Sequence, residues 1–457
     1  MSVIALTFVL ALMNSDLTPP EPSREFRGVW VASVDNIDWP SKRTLTIAQQ
    51  KQEMSQLLDR AVQARLNAIV LQVRPMADAL YKSNLEPWSE FLTGEQGKPP
   101  AEDWDPLQFA IDEAHKRALE LHAWINPFRA WHPAAKGRPS KESVLVKHPD
   151  WVKSYGNFKW LDPGLSQARN HVLAVVTDLI KRYDLDGLHI DDYFYPYPIK
   201  GQEFPDAESF KAHGRGSLAA WRRSNVDAFV KTMYESIKRH KPWVKFGISP
   251  FGIYRPGIPE GIQANLDQYE QLYADPKLWL EKGWCDYISP QLYWKAEQYH
   301  QSYPLLLRWW AGQNPLHRHL WPGNFLSQLI TPANWPTKEI LDQISTTRAQ
   351  EGATGNLFFS IKPLLQDAKN VIRELGEGPY REAALVPDSP WLSKSVPSTP
   401  DMRVGVVGDV VRATAGIPEK EREGTRRLVI AARYGEVWHV DAIAATNQPI
   451  ERPTALE

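Results

Sequence analysis

From residue 26 to about residue 375, apolar strand-like runs alternate with amphipathic helical runs, and the cycle repeats eight times. No other property of the chain restricts its fold as much. A helix between successive strands returns the chain to the same end of a sheet, so the strands run parallel. Eight such units predict an α/β fold whose sheet closes into a TIM-type (β/α)8 barrel. The strand-like runs are Phe26–Ser33, Ala68–Arg74, Leu119–Asn126, Asp186–Asp192, Val244–Ser249, Tyr287–Leu292, Arg318–Pro322 and Gly355–Ser360. Asp105-Pro106 and Asp275-Pro276 mark helix starts, with Asp as N-cap and Pro at the first helical position. An open doubly wound sheet is the competing arrangement, but the Gly-rich phosphate turn after its first strand is missing.

The chain divides into four parts in this reading. Residues 1–24 hold the apolar run Val3–Met13, too short to span a bilayer, followed by a Pro-rich stretch. The run reads as a signal-peptide h-region, although no Lys or Arg precedes it, so export to the periplasm or beyond is expected, without stable membrane insertion. Residues 25–376 form the barrel. Residues 377–400 read as a Pro-rich linker, and residues 401–457 as a small all-β module, fibronectin type III-like, that packs on the barrel or attaches substrate.

Composition narrows the chemistry. A net charge of −1 gives no overall field for nucleic acid or an anionic membrane. The 19 Trp point to stacking on sugar faces, although burial in a core is the commoner use of that residue. Cys285 is the one cysteine, so neither an intrachain disulfide nor a thiolate metal site can form. His317 and His319 share a strand face without an acid ligand beside them. No metal and no cofactor is expected, and nothing points to a protein partner.

The fourth strand ends in two adjacent acids, Asp191 and Asp192, followed at once by aromatics. Side chains alternate across a strand, so Leu188 and Ile190 share one face and His189 and Asp191 the other. With the apolar pair toward the helices, His189 and Asp191 point to the barrel axis. Substrates bind at this carboxyl end of a barrel. Asp191 is the principal catalytic candidate. Asp192 is its partner or positioner, or a loop cap. Asp78, after the second strand, is either a second carboxylate or a turn residue.

Candidate substrate-binding groups come from the other strand ends. Gln72 and Arg74 alternate onto one face of the second strand. Asn126 and Arg129 follow the third and suit hydroxyl recognition. Trp30 and Asp38 belong to the first unit, and His189 and Tyr193 flank the acid pair. Gln291, Tyr293 and Trp294 stand at the end of the sixth strand as a sugar platform.

Several motifs recur in a family order. They are Arg27-Gly-Val-Trp30, Asp38-Trp-Pro40, Gln72-Val-Arg-Pro75, Asp105-Pro-Leu-Gln-Phe109, His122-Ala-Trp-Ile-Asn-Pro-Phe-Arg129 and Leu161-Asp-Pro-Gly164. Asp186-Gly-Leu-His-Ile-Asp-Asp-Tyr-Phe-Tyr195, Phe246-Gly-Ile-Ser-Pro250 and Asp286-Tyr-Ile-Ser-Pro-Gln-Leu-Tyr-Trp294 complete the set. Together they resemble the glycosyl hydrolase-like 10 family, long called domain of unknown function 187, over roughly residues 25–375. The resemblance implies a TIM-type barrel, a bacterial envelope setting and a polysaccharide substrate. One branch of that family hydrolyses peptidoglycan glycan strands stripped of stem peptides. It includes lipid-anchored members, and this chain has no anchor cysteine.

The reaction so implied is hydrolysis of a β-linked amino-sugar polymer through an oxocarbenium-like transition state. One carboxyl protonates the leaving oxygen. The other attacks at about 5 Å separation, or activates water at about 6.5–9.5 Å. A substrate N-acetyl group acting as nucleophile is a third route. The rival reading is a non-catalytic glycan-binding envelope protein.

Overall fold

The computed structural model describes residues 21–394 and the segments 401–407, 410–416, 427–434, 437–445 and 450–453. The apolar run at residues 3–13 and the linker residues 395–400 lie outside the described residues.

Eight parallel strands form the barrel: β1 (Phe26–Val31), β2 (Ala68–Arg74), β3 (Glu120–Ile125), β4 (Gly187–Ile190), β5 (Lys245–Ile248), β6 (Tyr287–Ile288), β7 (His319–Leu320, resuming at Gly323–Asn324) and β8 (Gly355–Phe358). Neighbours in sequence are neighbours in the sheet, and β1 also pairs with β8. Closure depends on β7. Its first piece pairs with β6 and its second with β8. Trp321 N–H donates to Ile288 O at 3.0 Å, and Leu357 N–H donates to Pro322 O at 3.0 Å. Pro322 has no N–H, so the ladder breaks there while its carbonyl still accepts. The same lack at Pro290 helps confine β6 to two ladder residues, where the sequence suggested six.

The amino ends of the strands share a capping device. Asn67, Asp186 and Asp286 each stand just before a strand, and each side chain accepts a neighbouring strand's N–H. These are Arg27 at 2.9 Å, Leu121 at 2.9 Å and Phe246 at 2.7 Å. Each would otherwise be a buried orphan donor, which is costly. Asp286 thus lies on the floor of the barrel as a structural residue.

A helix follows each strand: α1 (Ile47–Gln63), α2 (Pro106–Lys116), α3 (Ser166–Arg182), α4 (Leu218–His240), α5 (Pro276–Lys282), α6 (Tyr303–Gly312), α7 (Thr337–Ala349) and α8 (Val371–Glu377). Thr46 and Gln49 form a capping box on α1. Asp105 and Asp275 cap α2 and α5 ahead of Pro106 and Pro276, and the left-handed Gly283 ends α5. On α1, Met54, Leu57, Leu58 and Ala61 recur at helical spacing and bury one stripe against the strands. Each buried Leu or Met contributes roughly 1.5–3 kcal/mol.

The long loops follow β2, β3, β4 and β5. The loop after β3 contains a small antiparallel sheet of Arg129–Trp131, Phe158–Leu161 and Val152–Tyr155. Part of the stretch read as a linker is packed under the floor. Leu385 N–H donates to Ser23 O, Trp391 Nε1–H donates to Asp286 at 2.9 Å, and Ser389 pairs with His319 at 2.9 Å. Beyond it the described segments are all β: Asp401–Val407, Val410–Gly416 and Ile450–Pro453 in one antiparallel sheet, Arg427–Tyr434 and Val437–Ala445 in another. Among the described residues no helix is long and apolar enough to cross a membrane.

Candidate active site

β4 sets the centre. Leu188 and Ile190 pack outward in the barrel–helix core, while His189 points into the lumen. Asp191 is the first residue past the strand. Trp124 Nε1–H donates to it at 3.0 Å and Asn126 Nδ2–H at 3.3 Å, both from the end of β3. Asp191 is 4% exposed. Burial pushes its carboxyl up from 3.8 to about 7; Arg129 opposes the rise and Asp192 adds to it.

Asp192 turns the other way. The Tyr197 hydroxyl donates to it, and the Gln291 amide bonds it from the end of β6. Burial raises its carboxyl as well, with the Tyr197 hydrogen bond opposing. The two acids are therefore held from opposite sides, one from β3 and one from β6. Arg129 serves both as counter-charge. It is stacked over Tyr193 at 4.3 Å, and its buried Nε has no hydrogen-bond partner.

Aromatic rings flank the pair. Tyr293 lies against Phe325 at 4.7 Å and Phe359 at 6.1 Å, and its hydroxyl feels both acids. Trp30 meets Phe359 edge-on at 6.2 Å. Trp294 stands further out, edge-on to Phe251 at 5.7 Å. Tyr193, Tyr293, Trp294, Phe325 and Phe359 all keep part of their surface exposed. Half-exposed rings beside buried acids suit a sugar face stacked on one side and a proton donor on the other.

Other expected residues lie elsewhere. Arg74 is fully buried: it makes a bidentate pair with Glu86 at 2.6 and 2.7 Å and donates to the Asn126 and Pro127 carbonyls. It braces the β3 loop from below, and no donor faces the cleft. The reason is a register shift between Gln72 and Arg74, which pairs Arg74 with the outward Ile125. Gln72 is 1% exposed, its oxygen accepting from the Ser33 and Val34 N–H groups at 3.0 and 2.9 Å. His189 is buried in the lumen beneath Asp191, both ring nitrogens hydrogen-bonded.

Asp78 is also fully buried, near Arg74 and Glu86. It accepts from Met76 N–H at 3.2 Å while its Oδ2 is buried without a hydrogen-bond partner, and burial raises it to about 7. Asp38 joins the ends of β1 and β8, accepting from Ala32 N–H and from Ser360 Oγ, each at 2.8 Å. Burial raises it to about 6.

Tyr197, Trp124, Phe325, Phe359 and Ser249 were not singled out from sequence. Tyr197 had a visible signal, the run Tyr193-Phe-Tyr-Pro-Tyr197 behind the acids. The others are ordinary apolar or small residues until the barrel closes.

A model of the glycosyl hydrolase-like 10 family matches residues 25–373. Glycosyl hydrolase YngK of Bacillus subtilis (strain 168) is 40% identical over 413 residues, 88% of this chain and 80% of that protein. Glycosyl hydrolase DigH of Escherichia coli (strain K12) is 35% identical over 372 residues, 75% of this chain and 84% of that protein. Among solved structures, the PgaB (BpsB) glycoside hydrolase domain from Bordetella bronchiseptica is 14% identical, with a TM-score of 0.49 over 77% of this chain and 98% of that one. The matched region is the barrel with its acid pair, and the chain belongs to the glycosyl hydrolase-like 10 family, as an enzyme of the glycoside hydrolase class acting on carbohydrate.

Proposed function

We propose that the enzyme cleaves β-linked amino-sugar polymers, with the glycan strands of bacterial peptidoglycan as substrate. The observation that carries this reading is the pair Asp191 and Asp192, buried together among half-exposed rings at the carboxyl end of β4. Asp191 is the general acid. A carboxyl at about 7 keeps its proton near neutral pH and can hand it to the leaving oxygen. Asp192 is the negative partner. Tyr197 and Gln291 favour its ionised form, which offsets positive charge on the sugar ring or its acetamido group as the bond breaks. Tyr293, Phe325 and Phe359 stack on the pyranose and Arg129 binds hydroxyl or acyl oxygens, while Asn126, expected to bind substrate, is fully buried and holds Asp191 in place.

Asp78 and Arg74 belong to the scaffold in this reading, because neither is exposed to a ligand. The apolar segment at residues 3–13 acts as an export signal, which delivers the enzyme to the envelope where this substrate lies.

The test is incubation with peptidoglycan glycan strands freed of stem peptides, following new reducing ends. Release by the native protein and none by Asp191→Asn is the expected result. Binding without release would sink the catalytic reading in favour of a glycan-binding role.

A further inference from the structure

Beneath Asp191 the barrel lumen holds a continuous polar chain where branched apolar side chains usually pack. Trp30 Nε1 lies 3.2 Å from His189 Nε2, and Ser249 Oγ lies 2.9 Å from the same nitrogen. His189 Nδ1 is 3.0 Å from the Tyr287 hydroxyl, which is 2.9 Å from His122 Nδ1. His122 Nε2 is 3.1 Å from Glu120, and Glu120 pairs with Lys245 at 2.8 Å near the floor. His189, His122 and Tyr287 are each completely buried. Room for the rings comes from two glycines. A Cβ at Gly187 would lie 2.6 Å from the His122 ring, and one at Gly247 would lie 1.8 Å from the Tyr287 ring.

The two ends fix the direction of every hydrogen. An indole N–H only donates, so His189 Nε2 must be the bare nitrogen and Nδ1 carries the proton. Nδ1–H then donates to Tyr287, and Tyr287 donates to His122 Nδ1. His122 Nε2–H donates to Glu120. Burial opposes the charge on Glu120, but Lys245 and His122 hold its carboxyl down at about 2, so this end only accepts. The dipoles are thus aligned, hydrogens toward the floor and lone pairs toward the mouth.

We propose that His189 is a positioning residue for the glycosidase reaction: the luminal chain locks it as a neutral Nδ1–H imidazole whose lone-pair end faces the mouth, keeping the carboxyl of Asp191 protonated. This rests on the reading of Asp191 as the acid. Strand spacing puts the two residues about 6.6 Å apart along β4. The other titratable groups facing Asp191 are Asp192, Tyr193 and Tyr197 on its own loop, Arg129 from the β3 loop and Tyr293 from the β6 loop. His189 itself faces His122 across the lumen.

Two measurements decide it without turnover. In the native protein, 15N spectra of His189 should show Nδ1–H and no titration between pH 5 and pH 8. An Nε2–H form, or a titrating ring, overturns the proposal. Tyr287→Phe removes the acceptor for Nδ1–H, so that only the donors at Nε2 still hold the imidazole and its alignment loosens. The 13C-carboxyl midpoint of Asp191 should then fall by on the order of half a pH unit. The basic limb of kcat should move down with it while KM stays unchanged. A lower melting temperature with an unmoved Asp191 midpoint would make the chain mere scaffolding and overturn the proposal. Absent turnover in the native protein would instead count against the hydrolase reading, with both spectra still readable.

Discussion

Replacing Asp191 by Asn is expected to abolish turnover and, in the same protein, to raise stability relative to the native protein as pH climbs. Asp191 is 4% exposed, and burial lifts its carboxyl from 3.8 to about 7. A raised value in the folded state means that the native protein keeps a proton which the unfolded chain has released. Stability therefore falls as pH climbs through the window from 3.8 to about 7. The whole fall amounts to about 4 kcal/mol, and the part between pH 5 and pH 8 to about 2–3 kcal/mol. The amide of Asp191→Asn keeps an oxygen for the Trp124 and Asn126 donors but cannot ionise. Its new N–H needs a partner, which costs a fixed 1–3 kcal/mol or so at every pH. The variant's stability relative to the native protein should thus rise by about 2–3 kcal/mol from pH 5 to pH 8. For a barrel of this size that is a relative gain of about 3–4 °C in melting temperature. Thermal melts at both pH values measure it, with reducing-end release assayed on the same samples. A difference that does not change with pH would refute the buried neutral acid, and turnover by the folded variant would refute the role of Asp191.

Tyr197→Phe removes the hydroxyl donor to Asp192, so that carboxyl should rise further. The acid limb of the pH–rate profile should move to higher pH and kcat should fall about tenfold, in line with one hydrogen bond to a charged group. Asp78→Asn should keep turnover within about twofold, since the side chain has no exposed surface; loss of turnover in a folded variant would return Asp78 to the reaction. Arg74→Leu leaves the buried Glu86 carboxylate without its main partner, the guanidinium that, against burial, holds it at about 2. Urea unfolding should show a loss of about 3–5 kcal/mol, with KM unchanged in the protein that folds.

Much of the barrel was legible because it rests on two local signals, apolar periodicity and helix punctuation. Asp275-Pro276 and Gly283 enclose α5 as their chemistry requires, and period-two alternation along Asp186–Asp192 turned His189 inward. The same rule misled at Arg74, because one register shift in β2 reverses the face of everything after it. Nothing within Gln72-Val-Arg74 announces that shift. It is set by how β2 meets β3, and by Glu86, which lies twelve positions on and becomes the partner of Arg74 only after the loop folds back. The small sheet spanning residues 129–161 escaped for a related reason: its strands are three or four residues long, and short pairings leave little periodic trace.

The lumen was harder to foresee, because its partners come from strands on different sides of the barrel. Gly187 and Gly247 are visible in the sequence, but the rings they admit, His122 and Tyr287, belong to other strands. A glycine in a strand lowers its stability, and a buried imidazole is costly unless both nitrogens are bonded. Two such glycines and two such imidazoles in one lumen make a poor choice for packing alone, since branched apolar residues would fill the space with no polar group to satisfy. The arrangement becomes economical only when its members are counted together: each ring nitrogen has a partner, and the direction of every hydrogen follows from an indole above and a carboxylate below. Such local penalties directly under an acid pair are what the role proposed for His189 toward Asp191 would require.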